Sequence, residues 1–308
     1  MNNQEKHFKI KSYSNTESQR VLEYWTPERI SKAKPISPKK ITKEALEKDF
    51  RNQVKSPYET ESIINQDNSS SLSPFLGEPY EVDVNDFPYS AGGKFLFTQG
   101  EGEDTKHFHG TAQFIGHCQM ILTAAHCVVD EDTGEEYKNF AFARAYRNVD
   151  GNEEQELFAI ERIGTAEGAG KFAELDFAFC RTTESYPGQT LALKIGEPAP
   201  DGHPMHAIGY PEDFNDGNVM AAVDGTREKI NDGSFVMEGN PMGPGSSGGA
   251  MMVDLNIEGR KWTNLVVGLN SRSYEDDNTV ELSPIFDQHT IDLYNEVLDA
   301  SGENPRRC

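Results

Sequence analysis

From about residue 85 onward, the sequence is a succession of short apolar runs separated by turns rich in Gly, Asn and Asp. The runs include "GKFLFTQ", "FAFARAY" and "NLVVGLNS", and the turns include "NVDGNEE" and "FNDGN". Short runs between turn clusters are typical of β-strands, which need only about 4–8 residues, whereas helices need more. Many such strands predict an all-β domain, either a sandwich or a pair of barrels.

One amphipathic segment follows the last of these runs. In "HTIDLYNEVLDASG" the apolar residues Ile291, Tyr294, Val297 and Leu298 recur at helical spacing. The sequence therefore predicts a C-terminal α-helix over about residues 288–300.

The first 84 residues differ in composition, because they are polar and charged with a single amphipathic patch, "ITKEALEKDFRNQV". The apolar residues of this patch have the spacing of a short helix: Ile41, Leu46, Phe50 and Val54. Residues 66–76, "QDNSSSLSPFL", have the composition of a linker. We therefore predict a mostly irregular, partly helical N-terminal segment with its linker over residues 1–84, and a β domain over residues 85–308.

The net charge is distributed unevenly. Residues 1–84 carry equal numbers of basic and acidic residues, so the whole net charge of −22 lies in residues 85–308. An acidic domain repels nucleic acid and anionic membranes, and neither is an expected partner. It attracts basic segments, and one lies in the same chain: Lys32, Lys34, Lys39, Lys40, Lys43, Lys48, Arg51 and Lys55. No apolar run approaches the roughly 18 residues of a membrane-spanning helix.

Three segments carry side chains suited to nucleophilic catalysis. "ILTAAHCVV" places His126 after an apolar strand, where it is either a core histidine or a base. "NPMGPGSSGGAMM" surrounds Ser246 and Ser247 with glycines, which let successive N–H groups point at one oxyanion; a flexible loop is the alternative. "AELDFAFCR" puts Asp176 among apolar residues, where an imidazole would compensate its charge unless it faces water at a strand edge. Together they supply a base, an orienting carboxylate and a nucleophile in the order His126, Asp176 and Ser247.

In these segments the sequence resembles the trypsin/chymotrypsin-fold serine peptidases. "LTAAHC" resembles their histidine motif, "LDFAF" their aspartate strand and "GPGSSGGA" their nucleophile motif. "AIGYP" and "VVGLNSRSY" are similar to segments of the V8-like, glutamyl endopeptidase-related branch. The resemblance covers about residues 90–300, and three motifs in order with suitable spacing are more specific than any one of them.

The resemblance implies two six-stranded antiparallel β-barrels over about residues 85–185 and 186–287, followed by the C-terminal helix. It implies a serine endopeptidase that hydrolyses peptide bonds through an acyl-enzyme, with the backbone N–H groups of Gly245 and Ser247 as the oxyanion hole. Polypeptides are the expected substrates, the chemistry needs no metal or organic cofactor, and a monomer is expected. A catalytically inactive binding protein of the same fold is the alternative.

The segment "VLEYWTPERISKAKPI" resembles a pro-segment that precedes such peptidases in secreted bacterial proteins. We therefore expect a proenzyme in which residues from about 20 to 60 dock on the acidic domain as an intramolecular inhibitor and are released by a cut in the linker. A solvated tail is the alternative. The resemblance implies export, whereas the first residues show no apolar core of about 7–15 residues as in a secretory signal, so the compartment stays open.

Three features depart from the family pattern. His109 stands near the place of a cysteine that usually bridges the cysteine after the catalytic histidine, and Cys118 comes later, so the pairing of the four cysteines stays open. Ser246 replaces the more usual Asn or Asp before the nucleophile, and Ala250 replaces Pro. Neither replacement removes a catalytic group.

The resemblance also identifies candidate substrate-binding residues. Pro241 aligns with the aspartate of trypsin-like specificity, so a preference for Arg or Lys before the cut loses its counter-charge. Asn270 and Met242 align with the histidine and the threonine of glutamyl endopeptidases, so a substrate carboxylate would be poorly stabilised unless Arg272 turns inward. Ser271 matches the serine that buttresses the catalytic aspartate. We therefore expect an apolar or uncharged residue before the scissile bond.

A rival cluster lies in "HFHGTAQFIGHC", which contains His107, His109, His117 and Cys118. Imidazole and thiolate are the ligands that Zn²⁺ favours, but the spacing matches no familiar zinc site. Ordinary strand histidines are the favoured interpretation.

Overall fold

The structure is a computed structural model that describes residues 8–43, 45–46, 77–229 and 233–299. Its strands are β1 (Phe8–Ser12), β2 (Lys34–Pro35), β3 (Tyr80–Glu81), β4 (Gly92–Gln99), β5 (Lys106–Phe114), β6 (Met120–Thr123), β7 (Lys138–Val149), β8 (Asn152–Ala166), β9 (Ala178–Thr182), β10 (Ala192–Leu193), β11 (Pro204–Gly209), β12 (Ala221–Lys229), β13 (Ser234–Glu238), β14 (Ala250–Ile257), β15 (Arg260–Leu269) and β16 (Val280–Pro284). Its α-helices are α1 (Asn15–Tyr24), α2 (Pro27–Ser31) and α3 (Gln288–Asp299).

The first sheet closes on itself. Its strand order is β1-β8-β7-β4-β5-β6-β9, and β8 also pairs with β9, so the six strands from β4 to β9 form a closed barrel. The longest hairpin, between β7 and β8, turns at Asp150 and Gly151, both of which have positive φ angles. An Asp-Gly pair favours this two-residue turn because its backbone twist matches that of the strands. The barrel interior is filled by buried phenylalanines that include Phe95, Phe114 and Phe142.

The second sheet has the strand order β10-β15-β14-β11-β12-β13-β16 and forms a half-barrel. After β15, an isolated bridge between Arg272 and Leu282 brings the chain back beside β16. A second apolar cluster, separate from that of the first barrel, includes Met205, Phe235 and Val267. The loop between β13 and β14 carries Ser247 and faces the first barrel.

The N-terminal residues are part of the first barrel and do not lie loosely on it. Strand β1 pairs antiparallel with β8. Helix α1 begins with a capping box in which the Ser14 hydroxyl accepts from the Glu17 N–H and the Glu17 carboxylate accepts from the Ser14 N–H. Trp25 and Ile30 are buried in the same apolar cluster as the barrel strands. Residues 8–33 are therefore anchored by burial as well as by strand pairing.

The predicted two-barrel, all-β fold with a C-terminal helix is confirmed, with the second barrel present as a half-barrel. Helix α3 packs on β8 and β9 through the buried face that includes Leu293 and Val297. The helix predicted from Ile41 onward lies mostly outside the described residues, and the linker 66–76 lies wholly outside them. None of the described helices is long and apolar enough to cross a membrane.

Candidate active site

His126 lies at the end of β6, the strand between β5 and β9 in the barrel. All four residues of β6 are buried, and the chain then enters a single turn of 3₁₀ helix over Ala125–Cys127. The two alanines before His126 are fully buried, so the turn packs tightly against the barrel. The imidazole is consequently fixed between the two sheets and is only 2% exposed.

Asp176 reaches His126 because β9 pairs with β6. Thr123 and Ala178 are partners in this pairing, so the residues just beyond them lie side by side. Both carboxylate oxygens of Asp176 bind His126: Oδ2 lies 2.8 Å from the ring Nδ1, and Oδ1 accepts the backbone N–H over 2.9 Å. This two-point contact fixes the orientation of the ring and leaves Nε2 facing away from the carboxylate.

Two further side chains surround the buried carboxylate. The Ser271 hydroxyl donates to Oδ2 of Asp176, and Nη2 of Arg272 lies 3.6 Å from the same oxygen. Burial alone would raise the pKa of Asp176, but the imidazole, the guanidinium and the hydroxyl outweigh it and hold that pKa well below its usual range. Burial lowers the pKa of His126, but the charge of Asp176 outweighs this and raises the pKa well above its usual value. The contact between the two groups therefore favours the charged form of each.

The glycines of the β13–β14 loop hold Ser247 in place. Gly245 and Gly248 have φ angles of +91° and +89°, and a Cβ at these positions would lie 2.4 Å from the carbonyl oxygens of Tyr210 and Thr111, respectively. No other residue type fits this backbone without strain. The carbonyl oxygen of Ser247 accepts the N–H of Thr111, over 2.8 Å. The loop is thus rigidly attached to β5.

The structure brings Ser247 next to the histidine segment. The Cys127 thiol donates to the Ser247 carbonyl oxygen over 3.7 Å, and Ser247 is only 3% exposed. Nε2 of His126 is buried and has no hydrogen-bond partner among the described residues. The two catalytic candidates are therefore neighbours whose side chains are not hydrogen-bonded to each other in this form.

A segment of the N-terminal region crosses this site, and we call residues 34–43 the strap. Strand β2 at its start pairs in parallel with β5, and the Ile36 N–H donates to the His109 carbonyl oxygen over 2.8 Å. The Ile36 carbonyl oxygen accepts the N–H of Gly245 over 3.0 Å. Further along, the Ile41 N–H donates to the Ser273 carbonyl oxygen and the Ile41 carbonyl accepts the Glu275 N–H, each over 3.2 Å. The backbone of the strap is therefore hydrogen-bonded to β5, to the loop that carries Ser247, and to the segment at Ser273 and Glu275.

An acidic loop after the histidine holds the middle of the strap. The Lys39 N–H donates to Oε2 of Glu131 over 2.9 Å, and the Lys39 ammonium pairs with Asp132. Glu131 is also in ion-pair contact with Arg272, whose Nη2 lies 2.9 Å from Oε1 of Glu131. Through Arg272, the loop that binds the strap is in electrostatic contact with Asp176.

The candidate substrate-binding residues turn mainly into the protein. Met242 is buried in the core of the second sheet. Asn270 donates to the Ile208 carbonyl oxygen and accepts from the Asn240 amide, each over 3.0 Å. Pro241, which lies between Asn240 and Met242 in the sequence, is half-buried. Arg272 lies against Glu131 and Asp176, as described above, and is 5% exposed.

Sequence reasoning missed one buried acid, Glu281 in β16. It is 4% exposed and accepts the Ser273 hydroxyl over 2.7 Å at Oε1. Burial raises the pKa of Glu281 to about 8. The only local signal, a charged residue alternating with the apolar residues of "VELSPIF", indicates an outward-facing position, so no pattern would have found it.

The rival histidine cluster makes other contacts. Nε2 of His107 lies 2.8 Å from the Tyr24 hydroxyl, and the two rings stack. His109 is buried beside the backbone of Gly245. Among the described residues, no three His, Cys, Asp or Glu side chains are grouped as metal ligands. Cys127 and Cys180 are free and buried, so Cys127 is not bridged to Cys118.

Comparison with known proteins shows what this part of the chain is similar to. Residues 110–259, which contain His126, Asp176 and Ser247, match the family model of a trypsin-like peptidase domain. The solved structures with this fold include the protease Anisep from Arthrobacter nicotinovorans, with 20% identity and a TM-score of 0.56 over 71% of this chain and 98% of that chain. They include the thermostable serine protease AL20 from an extremophilic microorganism, with 24% identity and a TM-score of 0.55 over 70% and 98%. A Glu endopeptidase has 15% identity and a TM-score of 0.58 over 74% and 100%. No curated protein sequence matches the chain.

Proposed function

Residues 110–259 match a trypsin-like peptidase domain and the chain has the fold of solved serine proteases, so we propose that it is a serine endopeptidase whose catalytic groups are His126, Asp176 and Ser247. The observation that supports this assignment most strongly is the state of the imidazole. Asp176 occupies Nδ1 and the backbone N–H of His126, while Nε2 is left without a partner among the described residues. A ring held at one nitrogen and free at the other is what a general base needs.

The proposed reaction has two halves. Nε2 of His126 takes the proton of the Ser247 hydroxyl as its oxygen attacks the peptide carbonyl carbon, and the N–H groups of Gly245 and Ser247 bind the oxyanion. His126 then gives its proton to the leaving amine, and an acyl-enzyme remains. Water, deprotonated by His126, releases the acyl group. Asp176 keeps the ring oriented and stabilises its charged form throughout.

We propose that the strap keeps the chain in a proenzyme state. The Gly245 N–H, one of the two oxyanion donors in the proposal, is occupied by the carbonyl oxygen of Ile36. His126 and Ser247 are nearly inaccessible. Each of the two observations opposes catalysis in this form.

Activation in this proposal requires a cut within residues 66–76. The cut frees the C-terminal end of the strap, which then leaves the cleft. Residues 8–33 stay in place because their strand pairing and buried Trp25 and Ile30 belong to the first barrel. The hinge between the retained and the released part lies at β2, where the strap begins.

The proposal places an apolar or uncharged residue before the scissile bond, because Pro241 and Met242 offer no counter-charge. Polypeptides are the substrates, as for any peptidase. The residue preference is measured by profiling the cleavage sites in a peptide library, with Ser247→Ala as the inactive control.

A serine-reactive phosphonate tests the catalytic assignment. The full chain is given a recognition sequence for an unrelated peptidase within residues 66–76, is cut there, and is then treated with the probe. We expect labelling at Ser247 that is lost in Ser247→Ala and kept in Ser246→Ala, the matched neighbour. An absence of labelling in the cut chain would favour the alternative of an inactive binding protein with this fold.

A further inference from the structure

The strap reveals what kind of peptide the cleft can hold. Two of its lysines lie on the wall of the cleft: Lys39 on the acidic loop, and Lys43 with its ammonium 5.0 Å from the centre of the Tyr274 ring. Between them, Ile41 pairs its backbone with the edge formed by Ser273 and Glu275. The occupant is thus an extended basic segment held by main-chain hydrogen bonds and by its charges.

The Lys39 position is built by the acidic loop itself. Oδ1 of Asp130 accepts the N–H groups of Asp132 and Thr133 over 2.9 and 2.8 Å, which fixes the turn. Glu131 is held by its contact with Arg272. The two acids that bind Lys39 are therefore placed by contacts within the peptidase domain, and these contacts remain when the strap leaves.

The Lys43 position has a similar internal support. Oδ1 of Asp277 accepts both the N–H and the hydroxyl of Thr279, over 2.9 and 2.7 Å. These hydrogen bonds, and to a lesser degree the nearby charge of Lys43, lower the pKa of Asp277. A carboxylate and the face of Tyr274 together form a site that favours a cation.

We propose that the emptied cleft selects extended peptides that carry lysine or arginine at the places now occupied by Lys39 and Lys43. This inference rests on the proposed function, since the strap must leave before a substrate enters. The exposed edge at Ser273 and Glu275 binds any extended backbone, as in strand addition, and so supplies affinity without sequence preference. Asp132, Glu131 and Asp277 then supply the charge preference. The residue before the scissile bond is not part of this proposal.

The experiment uses the full chain cut within residues 66–76. Fluorogenic peptides share one residue before the scissile bond and carry Lys, Gln or Glu at the flanking positions, and kcat/KM is measured for each. We expect the Lys peptides to be cleaved at least about threefold faster than the Glu peptides, with the ratio falling at high salt. Asp132→Asn and Asp277→Asn should each reduce the ratio. Asp150→Asn, in the exposed β7–β8 turn, removes one charge outside the cleft and should leave it unchanged.

Equal rates for the Lys and Glu peptides would overturn the proposal. It would also be overturned if Asp150→Asn lowered the ratio of kcat/KM between the Lys and Glu peptides as much as Asp132→Asn does. The latter result would assign the preference to the overall net charge.

A binding experiment separates this inference from the proposed function. Fluorescence anisotropy measures the affinity of the cut Ser247→Ala chain for the same peptides. The tethered strap competes equally with the Lys and the Glu peptides, so it lowers both affinities by the same factor and preserves the ratio between them. Tighter binding of Lys peptides without turnover supports the inference while the catalytic assignment fails, and equal binding rejects the inference.

Discussion

The backbone N–H of Gly245 donates a hydrogen bond to the carbonyl oxygen of Ile36, over 3.0 Å. The two residues are far apart in the sequence, yet the contact links the strap to the loop that carries Ser247. A carbonyl oxygen at this N–H occupies the place that the proposed mechanism reserves for the oxyanion. Control of activity is therefore expected to depend on how firmly the strap is held.

Lys39→Glu is expected to loosen the strap. The variant replaces an ion pair with Asp132 by a repulsion, next to a second acid, Glu131. An exposed ion pair contributes little to stability and the new repulsion adds a similarly small effect, so we expect the uncut chain to react with a phosphonate probe several-fold faster. The rate of labelling at Ser247 measures this directly.

Lys32→Glu is the matched control for this change. Lys32 is another exposed lysine of the same N-terminal region, but it pairs with Glu28 of helix α2. Labelling of this variant should match that of the unmodified chain. Equal acceleration in both variants would show that the strap is released by general charge effects and not by the loss of its contact with the acidic loop.

Gly245→Ala should destabilise the nucleophile loop. A Cβ at this position would lie 2.4 Å from the Tyr210 carbonyl oxygen and 2.9 Å from Cε1 of His109, on a backbone with φ of +91°. We expect the free energy of unfolding to fall by about 1–3 kcal/mol and labelling at Ser247 to decrease, because the loop must shift. Gly243→Ala is the control, since a Cβ there meets no atom within 4 Å. Urea unfolding of the two variants should separate them clearly, and similar stabilities would contradict the proposed rigidity of the loop.

Arg272→Gln should alter the pH dependence of catalysis. The guanidinium lies 3.6 Å from Asp176 and lowers the pKa of that carboxyl, and the same positive charge disfavours protonation of the adjacent His126. Its removal should raise the pKa of His126 and move the acidic limb of the kcat/KM profile to higher pH by about half a unit to one unit. The profile is measured on the cut chain.

Glu131→Gln provides the opposite change, because it removes a negative charge from the same cluster and should move the limb to lower pH. If Arg272→Gln instead raises KM without moving the limb, Arg272 contacts the substrate, as the sequence alone suggested. Opposite shifts for the two variants would identify Arg272 as a residue that positions and tunes Asp176.

The sequence predicted the features that depend on local patterns. Apolar runs of strand length indicated an all-β domain, the family resemblance implied its two barrels, and helical spacing around Val297 indicated α3. The resemblance implied that His126 and Asp176 converge, and in the structure this depends on one strand pairing, β6 with β9, that the sequence alone did not predict. The glycine-rich motif around Ser247 indicated it as the candidate nucleophile.

Other features depend on contacts between distant parts of the chain, and no local pattern encodes them. "AKPISPKKI" reads as an irregular basic segment, although its backbone joins β5, the loop at Gly245 and the edge at Ser273. Arg272 follows a strand of the cleft, and its direction toward Asp176 is set by Glu131, whose position the sequence does not reveal. Trp25 and Ile30 are buried in the first barrel, but the polar residues that flank them did not indicate this packing.

Glu281→Gln should change how stability depends on pH. Burial raises the pKa of Glu281 from an ordinary 4.5 to about 8, so the folded chain holds this proton more tightly than the unfolded chain does. Between about pH 4.5 and 8 the folded state binds more protons at this site, and the free energy of unfolding therefore falls as pH rises, by up to about 1.4 kcal/mol per unit. Glutamine has no such proton and can still accept a hydrogen bond from the Ser273 hydroxyl.

Urea unfolding at several pH values measures this difference. From pH 5 to pH 8 the free energy of unfolding of the unmodified chain should fall by roughly 2–4 kcal/mol more than that of the variant. Glu103→Gln, at an exposed glutamate, should follow the unmodified chain, and parallel curves for all three proteins would show that Glu281 is ionised throughout this range.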